Sequence, residues 1–310
     1  MIQLFFLLLL CCGCYRVPDR LDPKVSYQLQ DRHLEGLSSA FPPLSPEEKA
    51  SDWGREVIIA RGFAAELDLY RAVSTFKRAL FLVPNPERKL EIEYDILFCY
   101  FLGKRYEDAI EAFEKSDLRA VDKTFPAYRD LLLILYECYG EMCDCEKQQC
   151  ILEWMESAFP ETAEKLSLSQ AIRCGDLDTI SCFASHFHGP SYLSELLDDY
   201  YENKKSVPKA QIFNALCPGA GYFYIGQYKS ATTALLLNSL FIVAAYEFFH
   251  HGHTAGGIIT LGFEAGWYFG GIYGAGEEAK FYNERLYDRY ATTLLNQHNL
   301  FPVLMLEHTF

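Results

Sequence analysis

Few residues of this chain are of types and at spacings that could do chemistry. Cys138, Cys143, Cys145 and Cys150 lie close together, and their thiolates could hold zinc. Zinc sites more often join two Cys-x2-4-Cys pairs across a longer gap, and a single residue between Cys143 and Cys145 gives an awkward bite. Disulfides and apolar packing are the stronger readings for these four. His250, His251 and His253 could offer imidazole nitrogens to a metal, but solvated histidines in a short polar loop are the simpler account. Glu264 is the only charge in an otherwise apolar stretch, residues 254–276. At mid-depth in a bilayer a carboxylate costs at least about 2.5 kcal/mol. Glu264 should therefore be protonated, or paired with a polar neighbour such as Asn238. Its functional reading is a proton or cation path, or an inter-subunit bond. The chain has no glycine-rich phosphate loop, no serine nucleophile elbow and no His-Glu-x-x-His pair. We expect no enzyme activity, no cofactor and no bound metal.

The elements that must position Glu264 and Asn238 are two apolar segments. Residues 231–249 carry no charge before Glu247, and residues 254–276 carry one. Each is about long enough to cross a bilayer. The four residues between them, 250–253, predict a helical hairpin with antiparallel neighbours. Gly262, Gly266, Gly270 and Gly274 recur every fourth residue in the second segment. That spacing predicts close helix packing, against the first segment or against a second copy in a homo-oligomer. Ser230, Ala234 and Asn238 give the first segment a small face of the same spacing. Tyr246, Phe248 and Phe249 stand at interfacial depth, as do Tyr222 and Tyr224 at the other end.

The lead-in Pro218-Gly219-x-Gly221-x-x-Tyr224-x-Gly226 resembles the entry motif of a small bacterial domain with two transmembrane helices. The resemblance covers about residues 218–276 and implies architecture, because that family has no general biochemical activity. Physically, Pro218 starts a helix or re-entrant turn, and the three glycines let aromatic rings pack onto bare backbone.

From Trp53 to about Asp199 apolar residues fall three and four apart, the period of helices. The helices come in pairs. The first pair carries Ile59-Ala60, Phe63, Ala72, Phe76, Ala79 and Pro84; the second carries Ile96-Leu97, Tyr100, Tyr106, Ala109 and Phe113. A third has Leu135, Tyr136, Tyr139, Cys150, Trp154 and Pro160. Residues 163–199 allow a fourth, turned at Gly175-Asp176-Leu177. This resembles the tetratricopeptide repeat, in which small residues let paired helices approach and aromatics fill the space between pairs. The step from Ala72 to Ala109 is 37 residues, against about 34 in that family. Solenoids of this kind bind other proteins along a concave face, and the resemblance implies protein partners here.

The opening residues, MIQLFFLLLLCCGC, are too short to span a bilayer and have the length of a signal-peptide core. Gly13 before Cys14, after a leucine run, resembles a bacterial lipoprotein cleavage site. The resemblance implies diacylglycerol modification of the Cys14 thiol, with Cys12 as a second acceptor. Residues 15–52 are polar, with Pro18, Pro23, Pro42, Pro43 and Pro46, and read as a tether; Ser45-Pro46-Glu47-Glu48 predicts a helix start.

The bulk properties agree with this picture. The chain has 310 residues, 50% of them hydrophobic, and a net charge of −14. That charge excludes a nucleic-acid partner, whose phosphates need a basic footprint. The eleven cysteines are numerous enough for disulfides in an exported domain.

The expected fold is all-α. It comprises a signal peptide (1–14), a tether (15–52), a tetratricopeptide-like α-solenoid (53–203), a membrane hairpin (204–276) and an amphipathic C-terminal helix with its tail (277–310). The expected function is a non-catalytic, membrane-anchored scaffold that binds protein partners at the bilayer. The alternative is a subunit of a membrane permease or envelope-assembly machine acting through the hairpin and Glu264. Lysines flank the hairpin (Lys204, Lys205, Lys209, Lys229, Lys280), and by the positive-inside rule they place its flanks in the cytoplasm. The lipoprotein signal places them outside. Export is the reading adopted: the bacterial inner membrane, with the helical domain on the periplasmic side.

Overall fold

The computed structural model describes residues 17–25, 36–185 and 190–310. Cys14, the expected lipidation site, lies outside them. The described chain is helical apart from a short parallel pairing of β1 (Ser38–Ser39) with β2 (His308–Thr309). It forms two compact units, one with described residues 36–170 and 294–310, the other with 17–25 and 171–293.

The first unit opens with α1 (Pro46–Ala50), for which Ser45 and Glu48 form a reciprocal capping box. Antiparallel helices follow in pairs: α2 (Asp52–Ala65) with α3 (Leu69–Leu82), α4 (Pro86–Leu102) with α5 (Tyr106–Lys115), and α6 (Tyr128–Glu141) with α7 (Cys145–Ala158). Helices contact one another in chain order, an arrangement compatible with a helical repeat. Small residues sit inside the pairs: Ala60, Ala72, Ala79 and Ala109 are completely buried, as is Phe76. In α7 the buried positions are Ile151 and Met155, whereas Cys150 and Trp154 are exposed. The inward stripe there lies one residue beyond the expected one.

One turn is used at every pair. Leu67, Lys104 and Cys143 each adopt a left-handed conformation, with φ of 58°, 55° and 58°. The next residue's N–H reaches back five positions: Asp68 to Phe63 O, Arg105 to Tyr100 O, and Asp144 to Tyr139 O. This is the Schellman bond that satisfies a carbonyl orphaned at a helix end. Asp68 and Asp144 then cap the following helix through their side chains. The same turn recurs at Gly175-Asp176, with φ of 66° and a bond from Asp176 N–H to Ala171 O.

Residues 36–50, expected as part of the tether, pack onto the first unit. Phe41 lies 5.8 Å from the Tyr94 ring and 5.5 Å from that of Phe125.

α8 (Pro160–Cys174) leads into the second unit, which continues with α9 (Leu177–Ser185), α10 (Ser191–Asn203), α11 (Val207–Leu216), α12 (Ala220–Ile225), α13 (Tyr228–His250) and α14 (Thr254–Gln297). Among the described residues only α13 is both long and apolar enough to cross a membrane. Two such helices were expected. The second apolar segment is instead the start of α14, a 44-residue helix about 66 Å long at 1.5 Å per residue. Its glycines, tyrosines and Glu264 leave it less apolar than α13. No proline or turn interrupts the chain at Gly276, so the amphipathic helix expected from Glu277 onward is the continuation of α14.

That continuation packs inside its own unit. Ala279, Asn283, Leu286, Tyr287 and Ala291 are buried. Tyr287 donates its hydroxyl to Ile172 O at 2.8 Å, and its ring stands edge-on to Tyr200 at 5.7 Å. Asn283 accepts from Lys205 N–H at 2.7 Å and donates to Lys205 O at 2.8 Å.

Candidate functional site

The Pro218 motif is a junction of backbones. α11 ends before Cys217, and Gly219 takes a left-handed φ of 93° to start α12. Asn214, buried on α11, accepts the Gly219 N–H through Oδ1 at 2.9 Å. A Cβ on Gly219 would stand 2.3 Å from Ala231 O, and one on Gly221 would stand 2.3 Å from Ala210 O and 2.9 Å from Ala275 Cβ. These two glycines let helices touch backbone to backbone, rather than receiving rings. Gly226, also at φ 93°, has open space around it and serves the turn that ends α12. Tyr224 accepts the Ser206 N–H at 3.1 Å and packs edge-on to Phe213 at 5.4 Å.

The glycine ladder faces a different environment. A Cβ on Gly262, Gly266 or Gly270 would meet nothing within 4 Å, whereas one on Gly274 would meet the Tyr222 hydroxyl at 2.5 Å. Ser230, Ala234 and Asn238 of α13 and Gly266, Gly270 and Trp267 of α14 line a cavity of about 620 Å³. At these three upper positions the ladder is thus an open surface. Along this stretch the buried positions fall elsewhere: Ala231, Asn238 and Ala245 on α13, and Gly257 and Glu264 on residues 254–274 of α14. Asn238 Oδ1 and Glu264 Oε2 are buried without a hydrogen-bond partner. Each such group costs about 1–3 kcal/mol if it stays unsatisfied.

The first unit holds a buried ionic network that residue spacing did not reveal. Arg88 reaches Glu48 with two bonds of 2.9 Å, Glu91 at 2.7 Å and the Pro42 carbonyl at 2.8 Å. Arg61 bonds to Glu91 and lies 3.3 Å from Asp95. Glu91 and Asp95 are almost wholly buried. A cavity of about 720 Å³ opens beside the network, lined by Phe41, Glu48, Arg88, Glu91, Asp122 and Thr124.

Burial pushes the Asp95 carboxyl up from 3.8 to about 7, against the pull of Arg61. A folded-state value above the unfolded one means that the folded chain binds the extra proton. The stability this contributes is complete below about pH 4 and is lost as the pH rises toward 7. Asp95→Asn removes that loss. The unfolding free energy of the variant, relative to wild type, should rise by up to about 1.4 kcal/mol per pH unit across this window. Denaturant titrations of the detergent-solubilised chain at several pH values check it; a pH-independent difference would count against it.

Asp130, completely buried on α6, seats the final residues. It accepts the N–H of Glu307 at 3.1 Å, the N–H of His308 at 2.9 Å and contacts His308 Nδ1 at 3.0 Å. Arg129 donates to Met305 O at 3.0 Å. Phe310 reaches the Phe98 ring at 4.8 Å and the Phe76 ring at 6.4 Å. Burial raises the Asp130 carboxyl above its usual range, and the His308 hydrogen bond opposes this. Asp130→Ala should leave two backbone donors unpaired, at about 1–3 kcal/mol each. Limited proteolysis should then trim residues 306–310 from the variant while wild type resists.

Of the cysteines singled out, Cys138 is buried, and burial raises its thiol above the usual range; Cys143, Cys145 and Cys150 are exposed. Cys143 occupies the left-handed turn between α6 and α7. At the hairpin turn Glu247, His250 and His251 bring ligand atoms within 4.8 Å of one another, all exposed. Among known proteins, no family model, no curated protein and no solved structure matches this chain.

Proposed function

We propose that this protein is a non-catalytic, membrane-anchored scaffold whose tetratricopeptide-like helices bind protein partners beside the bilayer. The observation that carries the reading is that one chain joins a paired-helix array to a helix able to span a membrane. That helix, α13, leaves Leu235, Leu236, Leu240, Ile242 and Val243 exposed, an apolar surface suited to lipid. In this reading the start of α14 returns through the bilayer as the second arm of the hairpin. Its open glycine face remains available to a second copy. A diacylglycerol on Cys14 would add a second attachment, in line with the two signals that stable anchoring takes. The reading sets the protein in a bacterial inner membrane with the repeats on the periplasmic side.

The partner surface is best sought on the first helix pair. Ile58 and Ile59 on α2 and Tyr70 and Phe81 on α3 are exposed, Phe81 by 89%. A photo-crosslinking residue at position 81 should give discrete protein adducts in cells, and Tyr70→Ser should reduce them. Adducts with lipid alone would contradict partner binding. Protease treatment of intact spheroplasts tests the side: digestion of the repeats supports export, and protection until lysis opposes it. Acyl labelling lost in Cys14→Ala supports lipidation.

A further inference from the structure

The hairpin of α13 and α14 exposes most of its side chains, and its buried positions are regularly spaced. On α13 they are Ala231, Asn238 and Ala245; on residues 254–274 of α14, Gly257 and Glu264 repeat the same seven-residue interval. Positions seven apart lie on one stripe of a helix. Each stripe places a polar residue next to small ones. Counted from the turn at 251–253, Asn238 lies about 18 Å back along α13 and Glu264 about 15 Å along α14, at 1.5 Å per residue. The two therefore lie within about 3 Å of one depth, and Asn238 lines the same cavity as Tyr268 and Gly271, which stand four and seven residues after Glu264 on its own face of α14. Asn238 is 3% exposed and Glu264 is 6% exposed. Asn238 Nδ2 already donates to Ala234 O at 2.6 Å. What remains is a pair of buried oxygens without partners, Asn238 Oδ1 and Glu264 Oε2. While Glu264 is ionised both are acceptors, and two acceptors cannot satisfy each other. One proton on Glu264 turns the second into a donor.

We propose that the seam between α13 and α14 is a proton-binding site, in which protonated Glu264 donates a hydrogen bond to Asn238 Oδ1 and latches the hairpin. The occupant is a proton taken from water, and its loss leaves a carboxylate facing an amide oxygen, which parts the helices at that depth. The seam's other buried residues, Ala231, Ala245 and Gly257, carry no charge. Lys229, Glu278 and Tyr222 line the same cavity, Tyr268, one turn from Glu264, donates its hydroxyl to Ala215 O, and Glu247, His250 and His251 lie at the turn. The site rests on the membrane reading of α13, because in lipid no water replaces the missing donor.

The test uses the full chain in native membranes and an apolar carbodiimide, which attacks protonated carboxyl groups in apolar surroundings. Mass spectrometry should find the adduct on Glu264 at neutral pH, with none at that position in Glu264→Gln. Amide hydrogen exchange over α13 gives a second readout. Glu264→Gln keeps an N–H donor for Asn238 and should exchange as slowly as wild type. Glu264→Ala should exchange at least about ten-fold faster, as expected when a buried hydrogen bond is lost. A chain retained in the membrane after alkaline carbonate washing, yet unlabelled at Glu264 at neutral pH, would overturn the proton site while leaving the membrane reading intact. Unchanged exchange in Glu264→Ala would overturn the latch. Release of the chain by the wash would overturn both the membrane reading and the site that depends on it.

Discussion

Leucine at position 221 is expected to abolish folding of the hairpin unit. A Cβ there already falls 2.3 Å from Ala210 O and 2.9 Å from the Cβ of Ala275. Both obstacles belong to helices, so neither can swing aside as the end of a flexible side chain would. Overpacking in an ordinary core costs about 1–3 kcal/mol. Here α11 and α14 would have to separate from α12, and the cost should exceed that range. Gly219→Leu adds a left-handed φ of 93°, worth about 1–2 kcal/mol for a residue with a Cβ. Gly266→Leu is the control, since its Cβ enters open space. Thermal unfolding and monodispersity in detergent should separate them, with Gly221→Leu aggregated and Gly266→Leu close to wild type. Equal behaviour of the two would contradict the backbone junction.

Arg88→Ala should be the most damaging single change in the first unit. Arg88 ties Glu48 of α1 and the Pro42 carbonyl to α4, and it shares Glu91 with Arg61. Removing it leaves Glu91 buried with one cation instead of two, and frees the 42–48 segment. Breaking a buried ion pair by removing one partner costs about 3–5 kcal/mol. The loss should appear as a lower denaturation midpoint and early protease cleavage between residues 40 and 50. Arg78→Ala, at an exposed pair with Glu56, should cost about 0–1 kcal/mol. A similar loss in both variants would mean that the buried network has no special weight.

The helical character of the chain was legible because apolar residues recur three and four apart, and that period survives in whichever way the helices pack. Ala60, Ala72 and Ala109 could be singled out because only small side chains fit between close helices. The turns were less visible. Leu67, Lys104 and Cys143 adopt left-handed backbone with no glycine to announce it, held there by the Schellman bond each turn makes. Cys143 accordingly read as a candidate ligand when its backbone role is the turn. The glycine ladder misled in another way. Gly262, Gly266 and Gly270 share a face by sequence, but Asn238 and Glu264 are the buried pair. The usable signal was the seven-residue interval linking Ala231, Asn238 and Ala245, repeated by Gly257 and Glu264. The Arg88 network was illegible because its members come from separate helices and a loop, and nothing in their spacing brings them together.

The central claim, that α13 anchors this chain in a bilayer, is tested most directly by an apolar photoactivatable probe dissolved in the membrane phase. After illumination, mapped adducts should concentrate on Leu235, Leu236, Leu240, Ile242 and Val243, and the repeat helices should be nearly free of them. An α13 labelled no more than α4 would contradict the account.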